Sequence, residues 1–212
     1  STLLASSAAS DVYKRQVYYV SNTYKNNPYW YVDESVIKKE AILSPEYQKA
    51  LIDMAKESLI KTDKSEHKGR SNPPAWKALE FMSFGTIIKL YENLKNPKLL
   101  CEISNVYGMS HPSQFSNYIN VVRKLRNYCA HGKVLFDLNL DEAISDGPLG
   151  YLGNQKNSLF GIYSVFKYFL GRISSNRVKE MQAELLRAFD RVPYPSVKTI
   201  IFNNSGFNIE DI

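Results

Sequence analysis

Proline and glycine residues divide this chain into segments that each carry a helical pattern, and this punctuation constrains the fold more than any other feature. Pro45 and Pro97 stand at the start of apolar-periodic segments, where the missing N–H of proline costs nothing. Gly108 and Gly132 follow the last periodic residues, where a left-handed backbone commonly closes a helix. Strand signals are weak except in VKTIIF, residues 197–202. The pattern predicts an all-α protein.

The same periodicity predicts a bundle of about five to six helices with an irregular C-terminal tail over residues 196–212. Ser44 is the expected N-cap of the first helix, whose inner stripe would include Met54 and Leu59. The loop expected over 141–153 is rich in glycine and proline. The predicted helices cover residues 45–61, 74–94, 97–107, 114–131, 156–172 and 175–191.

The bulk composition fits a globular chain with a modest basic excess. Of the 212 residues, 44% are hydrophobic and 23% are charged, and the formal net charge is +6. That excess is compatible with a nucleic-acid partner without being diagnostic of one. Two isolated cysteines in apolar patterns, with no Cys/His cluster, predict neither a metal site nor a cofactor. The longest apolar run, 159–170, is interrupted by Lys167, so we expect a cytoplasmic protein that does not span a membrane.

The first sixteen residues differ from the rest of the chain. Their end, DVYKRQ (11–16), matches the translation of a transposase-type sequencing adapter. We therefore interpret residues 1–16 as non-native sequence and leave them out of the fold prediction, with a disordered native tail as the alternative. On this interpretation the helical domain covers residues 17–195 and its N-terminal part is missing.

The stretch RNYCAHGK, residues 126–133, closes the helix predicted over 114–131. At 100° per residue, Asn127 and His131 fall one turn apart on the open face, whereas Arg126 falls inside the arc of core residues. Histidine is the side chain that exchanges protons most readily near neutral pH. The spacing alone is equally explained by a C-terminal histidine that interacts with the helix dipole, because R-x4-H is a short and frequent pattern.

An arginine on a core face needs either a route to solvent along its stem or a carboxylate partner. Glu80 offers that carboxylate, since it falls on the same stripe as Ile87 and Tyr91 of the helix predicted over 74–94. We hypothesise that Glu80 and Arg126 form an ion pair. A core ion pair that only fixes helix register remains the structural alternative.

Three stretches together resemble one protein family. PAWKALEFMSFGTIIKLYENLK (74–95), VYGMS (106–110) and VVRKLRNYCAHGKVLFD (121–137) resemble the Abi-like proteins, the bacterial abortive-infection group that includes AbiD and AbiF. The resemblance covers most of residues 17–195, and W-x-x-x-E-x-x-S-F-G followed by R-N-x-C-A-H is a specific order. That family belongs to the HEPN superfamily of helical domains, many of which are RNases carrying R-x(4–6)-H.

The resemblance implies a HEPN-like fold and a metal-independent endoribonuclease acting in phage defence. It assigns Arg126 and His131 to the catalytic pair. Asn127 matches the polar residue that follows the arginine and would belong to the catalytic site, where it would orient the histidine or the phosphate. Glu80 matches the family's glutamate and would support the site. The basic residues expected to contact RNA are Arg123, Lys124 and Lys133.

The chain departs from the family pattern directly after the motif. Gly132 stands where many members have a second histidine, and Asp137 stands where they have asparagine. The resemblance further implies a homodimer, an RNA substrate or small RNA, and a possible antitoxin. Two alternatives stay open: a non-catalytic RNA-binding module of a phage-defence or toxin–antitoxin system, which would need positive charge but no proton-transfer group, and a helical fragment without activity.

Overall fold

The computed structural model describes residues 14–61 and 72–208, and every regular element in these two ranges is helical. The predicted all-α class is confirmed. Backbone bridges outside helices are limited, in these ranges, to the isolated pairs Ile37–Leu94 and Gly147–Gly150. Most of the segment interpreted as adapter sequence, up to residue 13, lies outside the described residues.

The chain divides into two compact units, with the boundary between Val106 and Tyr107. The N-terminal unit begins with helical residues 14–23. Its further elements are a 3-10 turn at Trp30–Val32, α1 (Lys39–Ile42), α2 (Pro45–Lys56), helical residues 58–61, α3 (Ala75–Ala78), a 3-10 turn at Leu79–Phe81, α4 (Phe84–Glu92) and α5 (Pro97–Val106).

The C-terminal unit contains the longest helix of the described chain. Its elements are α6 (Pro112–Ala130), a 3-10 turn at Gly153–Lys156, α7 (Leu159–Ile173), α8 (Ser175–Asp190) and α9 (Pro195–Ser205). More elements are present than the five to six helices predicted, because two of the predicted helices are interrupted and the C-terminal segment is itself helical. None of the helices in the described ranges combines the length and apolar character needed to cross a bilayer.

Polar contacts fix the core of the N-terminal unit. The buried Tyr31 donates its hydroxyl proton to the carbonyl oxygen of Pro73 at 2.8 Å. Tyr47, buried on α2, donates to the carbonyl oxygen of Tyr31 at 2.7 Å. Burial raises the pKa of both phenols well above the ordinary range, so both stay neutral donors. Ser44 caps α2 as predicted, since its side chain accepts from the N–H of Tyr47.

The first predicted helix ends earlier than its apolar pattern indicated. It stops at Lys56, because Glu57 is extended (φ −62°, ψ 138°), and helix resumes only over 58–61. Met54 is buried as expected, but Leu59 is 68% exposed and so lies outside the inner stripe.

The single helix predicted over 74–94 is wrong. Met82 has an extended backbone (φ −90°, ψ 148°), and Ser83 caps a new helix by accepting from the N–H of Thr86 at 3.1 Å. The stripe that one continuous helix would have formed from Glu80, Ile87 and Tyr91 is therefore not present. Trp76 is 56% exposed, and Glu80 is exposed instead of lying on an apolar stripe.

Aromatic residues build the core of the C-terminal unit. Phe115, fully buried on α6, stacks on Tyr107 with ring centroids 5.0 Å apart and meets Phe169 of α7 edge-on at 6.2 Å. Tyr118, one turn further along α6, meets Tyr168 edge-on at 6.5 Å. These contacts place the start of α6 beside the end of α7.

The loop predicted over 141–153 is confirmed as irregular, and α6 holds it in place. Asn117 donates to the carbonyl oxygen of Ala143 and accepts from the N–H of Ser145. Gln114 donates to the carbonyl oxygen of Asp146 at 2.8 Å.

The irregular tail predicted over residues 196–212 is wrong up to Ser205, because Pro195–Ser205 forms α9, and residues 209–212 lie outside the described residues. Pro195 starts the helix, and Gly206 closes it in a left-handed conformation (φ +78°). Phe202 packs against Phe189 of α8 at 4.7 Å between ring centroids. Helix punctuation and this packing outweigh the β-branched residues of VKTIIF, whose strand preference depends on context.

Candidate active site

The helix that carries the RNYCAH motif begins at a well-defined point. Pro112 occupies the first helical position, and the N–H of His111 donates to Oε1 of Gln114 at 3.4 Å. From there α6 runs for 19 residues with one buried face. The residues of that face are Phe115, Tyr118, Ile119, Val121, Val122 and Leu125.

The same helix ends at the motif with a Schellman cap. Gly132 is left-handed (φ +60°), its N–H donates to the carbonyl oxygen of Cys129 at 3.3 Å, and the N–H of Lys133 donates to that of Tyr128 at 3.0 Å. The predicted closure by Gly132 is confirmed. The cap leaves the side chain of His131 exposed at the very end of α6.

The glycine at 132 is explained by backbone conformation alone. An added Cβ would meet no atom within 4 Å, so space is not the constraint. A left-handed backbone nevertheless disfavours any residue with a Cβ. Any side chain at position 132, a histidine included, would strain this helix end.

Arg126 and Asn127 lie one turn before His131 and contact each other. Both are half-buried, and NH1 of Arg126 donates to Oδ1 of Asn127 at 3.3 Å, a long hydrogen bond. The half-burial of Arg126 agrees with its place near the core arc of the wheel. The side chain of His131 has no hydrogen-bond partner among the described residues, so the imidazole is open to an incoming group.

The remaining predicted phosphate contacts surround this helix end. Nε of Arg123 donates to Oδ1 of Asn120 at 3.1 Å, which restrains the guanidinium. Nζ of Lys133 lies 4.9 Å from the ring centroid of Tyr128, and Lys124 is half-buried. Asn120 was not predicted as part of the site. Its i,i+3 spacing from Arg123 is the signal that could have indicated it.

The charge at this end of α6 is of one sign. Residues 112–136 contain four lysines and arginines and no aspartate or glutamate. The first carboxylate after the motif, Asp137, accepts from Nδ2 of Asn204 at 2.9 Å. Cations at a helix C-terminus also stabilise the helix dipole. Their number and the absence of neighbouring acids in the sequence make the surface attractive to an anion.

Glu80 is the predicted site residue that belongs to the other compact unit. It is exposed in the 3-10 turn Leu79–Phe81 of the N-terminal unit, whereas Arg126 belongs to the C-terminal unit. The Glu80–Arg126 ion pair stays a prediction. In the part of the chain that the structure describes, no group of three or more His, Cys, Asp or Glu could hold a metal ion.

Comparison with known proteins gives one match. The family described as Abi-like protein matches residues 7–137, which span the W-x-x-x-E stretch, α5 and the whole of α6. The predicted family resemblance is confirmed. No curated protein and no solved structure matches the chain significantly.

Proposed function

Because the chain belongs to the Abi-like protein family and is therefore an abortive-infection protein, we propose that it is a metal-independent HEPN-type endoribonuclease of phage defence, acting in the cytoplasm. The observation that supports this most is the end of α6. There an exposed His131 follows Arg126 and Asn127, which contact each other, on a surface whose sequence carries no acidic residue.

The proposed reaction is attack of the ribose 2′-oxygen on the adjacent phosphorus. The bond from the 2′-oxygen to phosphorus forms and the bond from phosphorus to the 5′-oxygen breaks, which leaves a 2′,3′-cyclic phosphate and a free 5′-hydroxyl. The proton leaves the 2′-oxygen and a proton reaches the 5′-oxygen. His131 is the group that exchanges these protons, because its imidazole is exposed and has no competing partner among the described residues.

Arg126 stabilises the negative charge that develops on the phosphate oxygens. Asn127 is a positioning residue, because its amide oxygen accepts from NH1 of Arg126. Arg123, Lys124 and Lys133 hold the phosphates of the strand on either side of the scissile bond. Glu80 would act through Arg126 if the two units bring them together.

RNA as substrate or bound small RNA, and a homodimer in which two motifs share one cleft, belong to the same proposal. A single exposed helix end encloses no substrate by itself, and a second copy would supply the other wall. An antitoxin that covers this surface is the corresponding regulatory partner. Sedimentation of the full-length protein tests the dimer, which is contradicted by a monomer at concentrations that support cleavage.

The central test is cleavage of a fluorescently labelled RNA by the full-length protein and by two variants, His131→Ala and Arg126→Ala. We expect His131→Ala to cut about 10²–10⁴-fold more slowly, the usual contribution of a proton-transfer group, and Arg126→Ala about 10²–10³-fold more slowly, the usual contribution of a group that stabilises developing charge. Cleavage should continue in a chelator, and the products should carry cyclic phosphate ends. The matched control is His111→Ala, an exposed histidine at the opposite end of α6, which should cut like the parent.

The proposal fails if both variants cut as fast as the parent. A parent that retains RNA without cutting it supports the non-catalytic RNA-binding module instead. The cation-rich helix end suits that alternative equally well, since phosphate binding needs no proton transfer. In that case the affinity should fall steeply with salt, in proportion to the number of phosphates contacted.

A further inference from the structure

The C-terminal unit contains a second surface with both aromatic and positive character. It is an open groove of about 580 Å³ along the length of α7, bounded by Leu149 of the loop and Val178 of α8. Among the described residues, no acidic one lines it. Its chemically distinctive lining residues are Phe160, Tyr163, Ser164, Lys167, Tyr168 and Arg172. We call this surface the α7 groove.

Two cation–aromatic pairs organise the α7 groove. Nζ of Lys167 lies 5.6 Å from the ring centroid of Tyr163, and the guanidinium carbon of Arg172 lies 5.2 Å from that of Tyr168. NH2 of Arg172 also donates to the hydroxyl of Tyr168 at 2.8 Å. That hydroxyl in turn donates to the carbonyl oxygen of Tyr107, so the position of the guanidinium is tied to the backbone.

The backbone makes room for this guanidinium at Gly108. A Cβ on Gly108 would lie 2.6 Å from NH2 of Arg172 and 2.8 Å from the hydroxyl of Tyr168. The residue is also left-handed (φ +70°), so glycine satisfies two requirements here, whereas at position 132 it satisfies one. The arrangement around Arg172 is therefore built into the chain turn after α5.

The positive charges of the α7 groove are not neutralised by any acidic residue in the part of the chain that the structure describes. Neither Lys167 nor Arg172 lies within 4 Å of a carboxylate of the described residues. Three other basic residues of the same unit do have carboxylate partners: Lys156 with Asp146 at 3.0 Å, Arg187 with Glu184 at 2.6 Å and Lys198 with Asp190 at 3.3 Å. A groove whose two cations have no carboxylate of the described residues within 4 Å is suited to an anionic ligand.

The α7 groove is separate from the RNYCAH motif. Tyr118 meets Tyr168 beside the groove, and the 13 residues from Tyr118 to His131 correspond to about 20 Å along α6. The Arg172 end of the groove therefore lies well away from His131, and an inference drawn from the groove's own contacts does not rest on the proposed function.

We propose that the α7 groove binds a nucleotide, with the base against its aromatic rings and the phosphate on Arg172 and Lys167. Stacking of a base on an aromatic side chain contributes roughly 1–3 kcal/mol and tolerates any base. The guanidinium of Arg172 presents a planar fork that fits phosphate oxygens. The volume of the groove lies in the range of small-molecule sites. The nucleotide is either free or part of a single-stranded RNA.

Fluorescence anisotropy with two probes tests this proposal and separates the two sources. One probe is AMP labelled on its ribose with N-methylanthraniloyl, and the other is a short fluorescein-labelled single-stranded RNA of mixed sequence. All proteins carry His131→Ala, so that RNA cleavage, if it occurs, cannot change the probe. The groove variants are Arg172→Gln and Lys167→Gln. The matched control is Arg187→Gln, which removes the same charge from an exposed position on α8.

We expect each groove variant to weaken binding at least about tenfold relative to the control, which is about 1.4 kcal/mol. Weakening for both probes identifies an RNA strand, and weakening for AMP alone identifies a free nucleotide. The proposal is overturned if neither probe binds the parent, or if Arg172→Gln binds as tightly as Arg187→Gln. It is also overturned if the groove variants change only the oligomeric state, because the groove is then a protein contact.

Crosslinking measures the proximity of RNA to the α7 groove and does not depend on groove variants. Ultraviolet crosslinking of a single-stranded RNA containing 4-thiouridine, followed by peptide mapping, should attach the nucleotide within residues 149–178. Crosslinks confined to the peptides around His131 would contradict nucleotide binding in the groove. Thermal unfolding of each variant, followed by circular dichroism, confirms that the helices are intact when binding is measured.

Discussion

The two stretches that carry the family motifs have similar apolar spacing but different continuity. Pro112–Ala130 forms one unbroken helix, whereas the W-x-x-x-E stretch, 75–92, forms a helical turn, a 3-10 turn and a second helix. The difference arises from one polar residue. Ser83 offers its hydroxyl to the N–H of Thr86, and this cap starts a new helix where the apolar pattern continues without a gap.

The consequence of the break is a different exposure of the aromatic residues that mark each stretch. Phe115 of α6 is fully buried between Tyr107 and Phe169, whereas Trp76 of α3 is 56% exposed. An aromatic residue in a family motif can thus serve either packing or surface recognition. Periodicity alone cannot distinguish them.

The largest expected effect is a difference in the free energy of unfolding between alanine variants of these two aromatic residues. Phe115→Ala should lower the free energy of unfolding by about 3–5 kcal/mol, because it leaves a cavity in a closed aromatic core. Trp76→Ala should lower it by less than about 1 kcal/mol, since most of the ring is already in water. Urea denaturation of the two variants measures both. Equal losses would show that Trp76 is buried in solution and that the contrast is wrong.

The second effect concerns a buried amide beside the broken stretch. Gln16, the last residue of the segment interpreted as adapter sequence, is buried and lines a small cavity together with Leu79, Ile87 and Tyr91. Among the described residues, neither its Nε2 nor its Oε1 has a hydrogen-bond partner. Gln16→Met should raise the free energy of unfolding by about 1–3 kcal/mol, because an unsatisfied amide is removed from an apolar site.

Replacing a glutamine by methionine on α6 should lower the free energy of unfolding instead of raising it. Gln114 donates to the carbonyl oxygen of Asp146, so Gln114→Met should be destabilising by about 1 kcal/mol. Thermal unfolding of both variants gives the comparison. If Gln16→Met also lowers the melting temperature, the amide of Gln16 is satisfied in solution.

The smallest effect tests the cap that causes the break. Ser83→Ala should cost about 1 kcal/mol, the usual value of a serine N-cap. Ser113→Ala is the matched control, because Ser113 is an exposed serine in the first turn of α6 that makes no cap bond. The denaturation midpoints of the two variants, measured under the same conditions, test this expectation. A loss no greater than that of the control would mean that Ser83 does not set the start of α4.

Features that depend on a few consecutive residues were predictable from the sequence. The starts at Pro45 and Pro97 and the left-handed closures at Gly108 and Gly132 follow from backbone chemistry, and all four are confirmed. The helical projection of residues 114–131 also placed His131 on the exposed face and Arg126 near the edge of the buried face, as observed. The family was recognised from the order of its motifs.

Features that depend on competition between signals were not predictable in the same way. In the stretch before α4 a cap outweighs the apolar period, and in α9 packing between Phe189 and Phe202 outweighs β-branched residues. The sequence does contain a local signal for the α7 groove that the sequence analysis did not use. An aromatic residue stands four positions before a cation twice, in 163–167 and in 168–172. That spacing places each pair on one face of a helix.

The left-handed backbone at Gly132 has a kinetic consequence. Cleavage through the 2′-oxygen needs one group to take a proton and one to give a proton, and a rate that falls on both sides of an optimum pH reports two such groups. A chain that disfavours a side chain at position 132 brings one imidazole, that of His131, to its motif. Cleavage that uses one imidazole to take a proton and another to give one would then require two copies of the chain at each scissile bond.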